Sequence, residues 1–348
     1  MTWHPMQVER CGRQAARRSD HASSGRYNAK KPQSFISRRI SLKTSAVTAA
    51  DLARSVIAVP PFARQGDLAP NPEANRTLIR HLEAGGVSTL MYGGNANFYN
   101  LGLYEYSSIL DALEQMAAPD TWVVPSAGPD FGKLLDQARV LRTRAFPTAM
   151  VLPQTFPATP QGCERAIRLF AESFGRKVII YIKADDYLAP ANIARLVDSG
   201  LVSGIKYAIV RSDPKEDDFL TELVQLVDPN IIISGLGERP AITHMREFGL
   251  CSFTSGSVCV GPRGSTRMLA AIRSERWDDA EELRAAYLPL EDARDAHSPI
   301  RVLHDAVTLC GIAAMGPILP QLSNLDVAQA AQVKPISQTL LARDRALP

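Results

Sequence analysis

Near the middle of the chain runs the stretch Val202-Ser203-Gly204-Ile205-Lys206-Tyr207-Ala208-Ile209-Val210, in which β-branched and apolar residues predominate. Such a composition predicts a strand that is covered on both faces, as in a parallel sheet flanked by helices. Lys206 is the exception within it. Removing an ammonium group from water costs several kcal/mol, so a buried lysine needs a partner or a function.

Two interpretations of Lys206 follow from this stretch. In the first, the ammonium forms a structural ion pair with a buried carboxylate. In the second, desolvation lowers the pKa of the amine, which can then attack a ketone and form a Schiff base. The stretch by itself leaves both open.

The same strand-like composition recurs along the chain from Ser55 onward, each time followed by a turn and an amphipathic segment. Eight strands that alternate with helices predict an α/β protein, and the number favours a closed (β/α)8 TIM barrel. The alternative is an open Rossmann-like sheet. The sequence does not support it, because no GxGxxG motif follows the first predicted strand. The predicted strands are Val56–Phe62, Ser88–Tyr92, Trp122–Ser126, Ala149–Pro153, Lys177–Ile182, Gly204–Ile209, Ile231–Gly235 and Cys251–Ser255.

After the last of these strands the pattern becomes purely helical. We predict a TIM barrel over residues 48–266 and a C-terminal helical region over residues 267–348, which ends in a short helix near Val327–Val333. The five cysteines show no CxxC and no zinc-ligand spacing, which is typical of reduced thiols. The sequence contains no run of 18 uninterrupted apolar residues, so we predict no transmembrane helix.

Residues 1–47 differ from the rest in charge. They carry ten Lys and Arg against two acidic residues, a formal +8, whereas the remaining residues sum to −5. We predict a disordered basic extension and an acidic body that does not bind nucleic acid. The segment Ser37–Lys43 resembles a twin-arginine export signal, but Asp51 and Arg54 interrupt the apolar stretch that such a signal requires. We expect a cytoplasmic protein, with an exported or organellar one as the alternative.

Polar side chains cluster where the predicted strands end, which is where TIM barrels place their chemistry. Glycines with small amides and hydroxyls suit the binding of a carboxylate. No His, Asp and Glu cluster has metal-ligand spacing, so we expect no metal and no other cofactor. The candidate substrate-binding residues are Gly94, Asn95, Lys183 and Thr254.

Several of these motifs resemble the dihydrodipicolinate synthase/N-acetylneuraminate lyase family of Schiff-base aldolases, over roughly residues 52–325. Gly204-Ile205-Lys206 is similar to the family's G-I-K strand, whose lysine forms an imine with a 2-oxo acid. Pro60-Pro61-Phe62 resembles the opening T-P-F, and Ile233-Ser234-Gly235 resembles the S-G turn after strand seven. The resemblance implies a barrel with Lys206 as the imine-forming residue.

Two departures affect the expected site. Where the family has G-T-T-G-E, this chain has Gly93-Gly94-Asn95-Ala96-Asn97, so only the Asn95 amide replaces two hydroxyls. Where the family has P-Y-Y, this chain has Pro153-Gln154-Thr155. Thr155 then occupies the position of the proton-relay tyrosine, although an alcohol is a poor acid or base near neutral pH.

The region after strand five also departs from the family's Y-N, since Tyr181-Ile182 is followed by Lys183. Lys183 is either a solvated lysine, or a second cation that lowers the pKa of Lys206 or binds a distal substrate carboxylate. Tyr92, Tyr99 and Tyr181 are alternative sources of the missing phenol. The small residues at 94 and 155 indicate a substrate bulkier than pyruvate.

The sequence therefore predicts a Schiff-base-forming lyase, an aldolase or a dehydratase, that acts on a small-molecule 2-oxo acid. Lys206 and Thr155 are its predicted catalytic residues. The resemblance also implies a homo-oligomer, a dimer or a homotetramer. The alternative is a catalytically degenerate barrel that binds a keto acid without turnover.

Overall fold

Eight parallel strands, each hydrogen-bonded to the next in chain order, close into a barrel when β8 pairs with β1. The computed structural model describes residues 43–348. The predicted (β/α)8 barrel is confirmed, whereas most of the predicted basic extension and the arginine pair of the export-like motif lie outside the described residues. The strands are β1 Ile57–Ala58, β2 Thr89–Tyr92, β3 Trp122–Ala127, β4 Met150–Val151, β5 Val178–Ile182, β6 Val202–Tyr207, β7 Ile232–Ser234 and β8 Ser252–Ser255.

Helices connect successive strands and cover the barrel. Their starts follow from local chemistry, because side chains such as Asn71, Asp130 and Thr159 accept hydrogen bonds from the free backbone N–H groups of the first turn. Proline at the first helical position, as in Pro160, leaves no further N–H unsatisfied. These helices are α1 Ala49–Ala53, α2 Pro72–Ala84, α3 Leu103–Met116, α4 Phe131–Arg142, α5 Pro160–Phe174, α6 Pro190–Asp198, α7 Asp218–Leu226 and α8 Ala241–Glu247.

The N-terminal end of the barrel is closed by α1. Leu52 on this helix is fully buried, and a Cβ atom added to Gly204 of β6 would lie 3.0 Å from its side chain. A bulkier residue at 204 would therefore meet the helix that covers this end. The opposite end, where the strands terminate, carries the polar residues.

The strand pairing defines which side chains face the barrel interior. Tyr181 of β5 pairs with Lys206 of β6, which pairs with Ile233 of β7. Because side chains at paired positions share a face, and every second residue along a strand does too, Ser126 and Thr254 also point inward. The register thus gathers side chains from five strands around one interior.

The C-terminal region consists of five helices, α9 Pro262–Arg273, α10 Trp277–Ala285, α11 Leu288–His297, α12 Pro299–Leu309 and α13 Val327–Ala346. The helix predicted near Val327–Val333 was wrong in extent, since α13 is 20 residues long and continues through Pro335. An interior proline costs about 3 kcal/mol in a helix, but Val333, Leu340 and Leu341 pack in a second apolar core with Tyr287 and Leu290. Tertiary burial therefore outweighs the local signal to stop.

Within residues 43–348 no helix has both the length and the apolar character needed to cross a membrane. The cysteines at 163, 251, 259 and 310 are all free thiols. Helix α9 runs continuously across the predicted boundary at residue 266, so the last barrel helix leads directly into the C-terminal helices.

Candidate active site

Lys206 lies on β6 with its side chain inside the barrel and only 5% exposed. Its Nζ sits 4.5 Å from the centroid of the Tyr181 ring on the neighbouring strand. On the other side, a Cβ atom at Gly235 would lie 3.0 Å from the lysine Cγ, so the glycine after β7 makes room for the amine's stem. The next residue, Tyr207, faces the helices, where its hydroxyl donates a 2.5 Å hydrogen bond to Asp217 and anchors the end of the strand.

The surroundings of the amine are cationic. Burial, together with the smaller effect of the positive charges of Lys183 and Arg294, lowers the pKa of Lys206 to about 7. Among residues 43–348 no carboxylate lies within ion-pair distance of its Nζ. The interpretation of Lys206 as a structural ion pair is therefore wrong for the part of the chain that the structure describes.

Tyr181 is the phenol beside the amine. Burial raises its pKa to about 12, against the opposing influence of the Arg294 charge. Tyr99 is close enough that the Tyr181 charge adds to the burial that raises its own pKa. Tyr92, in contrast, packs between the rings of Phe62 and Phe98, away from the interior face. Of the three tyrosines considered from sequence, Tyr181 is thus the one whose ring contacts the Lys206 amine.

Thr155 and the loop that carries it follow β4. The residue is exposed, and its hydroxyl makes no hydrogen bond to any described residue. Gln154 and Phe156, its neighbours, line a groove of about 860 Å³ outside the barrel, between this loop and α5. The side chain of Phe156 is 87% exposed on that groove.

The remaining candidates lie around the mouth of the barrel. Lys183 is exposed just after β5, and its charge reaches Lys206. Gly94, after β2, is half-buried, and a Cβ there would sit 3.7 Å from the Tyr99 ring. The amide of Asn95 donates a 2.9 Å hydrogen bond to the Val59 carbonyl and so braces the end of β1.

Thr254 is fully buried on β8, and its hydroxyl has no hydrogen-bond partner within the described residues. The hydroxyl of Ser126 on β3 shares that condition. An unpaired buried hydroxyl costs free energy unless water or a ligand satisfies it. Both hydroxyls face the interior that contains Lys206, so they are available to a carboxylate or carbonyl oxygen.

No group of three His, Cys, Asp or Glu side chains that could hold a metal ion occurs in residues 43–348. The reactive groups that the described site offers are therefore an amine, a phenol, hydroxyls and cations. This set is sufficient for imine chemistry, in which the electron sink is formed from the lysine and the substrate.

Comparison with known proteins identifies similar folds among solved structures. No family model and no curated protein matches the sequence. Among solved structures, dihydrodipicolinate synthase from Oceanobacillus iheyensis matches with a TM-score of 0.70 at 19% identity, over 83% of this chain and 97% of that one. The enzyme from Agrobacterium tumefaciens matches with a TM-score of 0.73 at 17% identity, over 84% and 99% of the two chains.

A third structure is YagE of Escherichia coli K12, a prophage protein of the dihydrodipicolinic acid synthase family that was determined in complex with pyruvate. It matches with a TM-score of 0.72 at 21% identity, over 82% of this chain and 98% of that one. The chain has the dihydrodipicolinate synthase fold. The resemblance seen in the sequence is thus confirmed at the level of fold, and the low identity marks a divergent example.

On this dihydrodipicolinate synthase fold, Arg294 is the site residue that sequence reasoning missed. It comes from α11 in the C-terminal region, and its side chain is 13% exposed. Its Nη2 donates to the Leu236 carbonyl at 3.3 Å, next to the glycine that packs on Lys206. No sequence pattern distinguishes it from other helix arginines, because its position depends on how α11 folds back over the barrel.

Proposed function

We propose that this protein is a Schiff-base-forming lyase that acts on a 2-oxo acid through Lys206. The observation that carries the proposal is a buried lysine that has no counter-ion among residues 43–348 and whose pKa is lowered to about 7 by burial and by two nearby cations. At neutral pH roughly half of such an amine is unprotonated, against about 4 in 10,000 for an ordinary lysine. The concentration of nucleophile is therefore raised by about a thousandfold.

The chemistry follows from the neutral amine. Lys206 Nζ adds to the ketone carbon, the oxygen takes up protons and leaves as water, and a C=N⁺ bond remains. This iminium withdraws electrons from the neighbouring carbon, so that a C–C or C–O bond there can break or form. The choice between an aldolase and a dehydratase depends on the substrate group that leaves.

Tyr181 is the proposed proton carrier in this sequence of steps. The contact between its ring and the Lys206 amine, 4.5 Å from Nζ to the ring centroid, supports this role. Because its pKa of about 12 keeps the phenol protonated at neutral pH, Tyr181 can donate a proton to an oxyanion but does not act as a base toward water. Thr155 stays a proposed participant from sequence, on a loop whose exposure supports the role less well.

The substrate carboxylate would be held by neutral donors. Thr254 and Ser126 offer hydroxyls that no described residue occupies. Gly94 and Asn95 contribute main-chain atoms at the end of β2, while the Asn95 side-chain amide is engaged with Val59. Charge-assisted hydrogen bonds to a carboxylate are stronger than neutral ones, so a few such donors suffice.

Reductive trapping tests the proposal directly. Incubation with pyruvate and a panel of larger 2-oxo acids, followed by borohydride and peptide mass spectrometry, should give a covalent adduct on Lys206. Lys206→Ala should remove the adduct and keep the far-UV circular dichroism spectrum. Lys177→Ala, which removes a lysine at the far end of β5, is the matched control and should keep the adduct.

The result also separates the second candidate function, a barrel that binds a keto acid without turnover. A trapped adduct, together with release of a new carbonyl compound or of water from the same acid in an assay without borohydride, supports the lyase. An adduct without turnover on any acid of the panel supports the binder, and absence of an adduct removes the imine proposal. The cytoplasmic location and the homo-oligomeric state, a dimer or a homotetramer, stay predictions, the latter to be measured by light scattering.

A further inference from the structure

The mouth of the barrel holds more positive charge than imine formation requires. Lys183, after β5, and Arg294, on α11, both act on the amine of Lys206. Lys183 forms no ion pair and no hydrogen bond with any residue from 43 to 348. Two cations beside a buried amine repel its charged form, so their placement also calls for a ligand that they attract.

Arg294 is held in place by its own surroundings. Its Nη2 donates to the Leu236 carbonyl at 3.3 Å, and its Nε pairs with Asp295 at 3.3 Å. Its Nη1 lies 3.9 Å from Glu291 and donates no hydrogen bond within the described residues. Nε and Nη2 are therefore engaged, while the end of the guanidinium that carries Nη1 has no hydrogen-bond acceptor within the described residues and faces only the more distant Glu291 carboxylate.

The helix that carries Arg294 is itself fixed over the barrel. The buried carboxylate of Glu291 accepts hydrogen bonds from the backbone N–H of Glu238 at 2.9 Å and of Arg239 at 3.0 Å. Gly237 adopts φ of +88°, and a Cβ atom there would lie 2.0 Å from Glu291 Oε1. Only glycine permits this approach, so the turn after β7 and α11 are joined through a carboxylate next to Arg294.

We propose that Arg294 and Lys183 form a second anion-binding site above Lys206, and that the substrate is a 2-oxo acid with a second, distal carboxylate. This inference rests on the proposed function for its covalent step. The first carboxylate and the ketone occupy the interior near Lys206, while the distal carboxylate reaches the Nη1 end of Arg294. A planar guanidinium edge matches the two oxygens of a carboxylate.

The cations near the amine suit an anionic ligand. Lys206 reacts as a neutral amine, which leaves two nearby cations, namely Lys183, without an ion pair among the described residues, and Arg294, whose Nε pairs with Asp295 and whose Nη1 lies 3.9 Å from Glu291. A phosphate would be better served by several converging backbone N–H groups at a helix N-terminus. The described mouth presents instead one guanidinium and one ammonium, so a carboxylate is the ligand that this arrangement favours.

The test compares two acids of equal chain length, 2-oxoglutarate and 2-oxopentanoate, which differ in the distal carboxylate. Half-saturation of borohydride trapping is measured at about pH 9, well above the pKa of about 7 of Lys206 in the wild type, and both acids are compared within each variant. The wild type should trap the diacid at about tenfold lower concentration, as one charge-assisted contact gives. Arg294→Gln and Lys183→Gln should each raise the half-saturation concentration of the diacid more than that of 2-oxopentanoate and so reduce this preference.

Arg276→Gln is the matched control, because Arg276 is an arginine of the same region in an i,i+3 pair with Asp279. It should keep the preference for the diacid. Equal half-saturation of the two acids in the wild type, or an equal loss for both acids in Arg294→Gln, would overturn the second anion site while the imine proposal stands.

Binding without covalent chemistry is measured separately with glutarate, pentanoate and inorganic phosphate, by the shift of the thermal unfolding midpoint. Glutarate should stabilise the wild type, pentanoate should not, and Arg294→Gln should abolish the shift. Absence of an imine with every acid, together with this glutarate response, removes the proposed function but keeps the site. A larger shift with phosphate than with glutarate overturns the assignment of a carboxylate.

Discussion

Replacing Lys206 by methionine should make the protein more stable while abolishing its imine chemistry. The pKa of the Lys206 amine is about 7 in the folded state and about 10.4 in the unfolded chain. Because the folded-state pKa is lowered, the unfolded state binds more protons between these values, and stability rises with pH across that window. The destabilisation by Lys206 is thus fully present below pH 7 and disappears above about pH 10.4.

The size of the effect follows from the pKa difference. One pKa unit corresponds to about 1.4 kcal/mol, so the ammonium lowers the free energy of unfolding by at most about 5 kcal/mol near pH 6. At about pH 9.5 the same difference leaves only about 1 kcal/mol. Methionine has an unbranched side chain of similar length and no charge, so it removes this penalty without a large cavity.

Urea unfolding of wild type and Lys206→Met at about pH 6 and about pH 9.5 measures the difference. The variant should be more stable at the lower pH, and its advantage should shrink by about 3 kcal/mol at the higher one. Lys177→Met, which removes an exposed lysine immediately before β5, is the control and should not show this gain. A Lys206→Met variant that is less stable at pH 6 would refute the unpaired cationic site and restore the ion pair.

Two further predictions concern the proton and the pH profile. Tyr181→Phe should keep the borohydride-trappable adduct but lower turnover by about 10²–10⁴-fold, which is the usual contribution of general acid–base catalysis. Thr155→Val should change turnover by less than about threefold. If steady-state assays give the reverse ranking, Thr155 is the proton carrier. The rate of imine trapping should rise with pH to a plateau, with a midpoint near pH 7. Lys183→Gln should move that midpoint to higher pH, because the variant lacks a cation that disfavours the ammonium form of Lys206. An unchanged midpoint would show that Lys183 lies too far from Lys206 to affect its pKa.

The barrel was predictable because each element carries its own local signal. Tyr181 and its neighbours in β5 are apolar and β-branched, and the next helix begins at a proline, so both the strand and its end are visible in the sequence. The edges are less visible, since β1 and β4 have only two ladder residues each within longer extended segments. Ladder length depends on the neighbouring strands, which a single-sequence pattern does not contain.

The site was predictable only in part, for a similar reason. Lys206 stands out because a lysine in a doubly covered strand contradicts the composition around it. Arg294 does not stand out, because an arginine on a polar helix is ordinary and its importance arises from the contact between Glu291 and the turn at Gly237. Contacts between residues distant in sequence decide which charges meet, and composition carries no record of them.

The distribution of charge also bears on the choice between an enzyme and a passive binder. A site built only to bind keto acids benefits from keeping every lysine protonated, since each positive charge attracts the carboxylate. Here burial and two neighbouring cations remove about half of the charge of Lys206 near pH 7. The arrangement weakens Lys206 as an anion ligand and strengthens it as a nucleophile, while anion binding is left to the other cations of the mouth. A lyase benefits from a neutral, nucleophilic lysine in its site, whereas a protein that only binds keto acids does not.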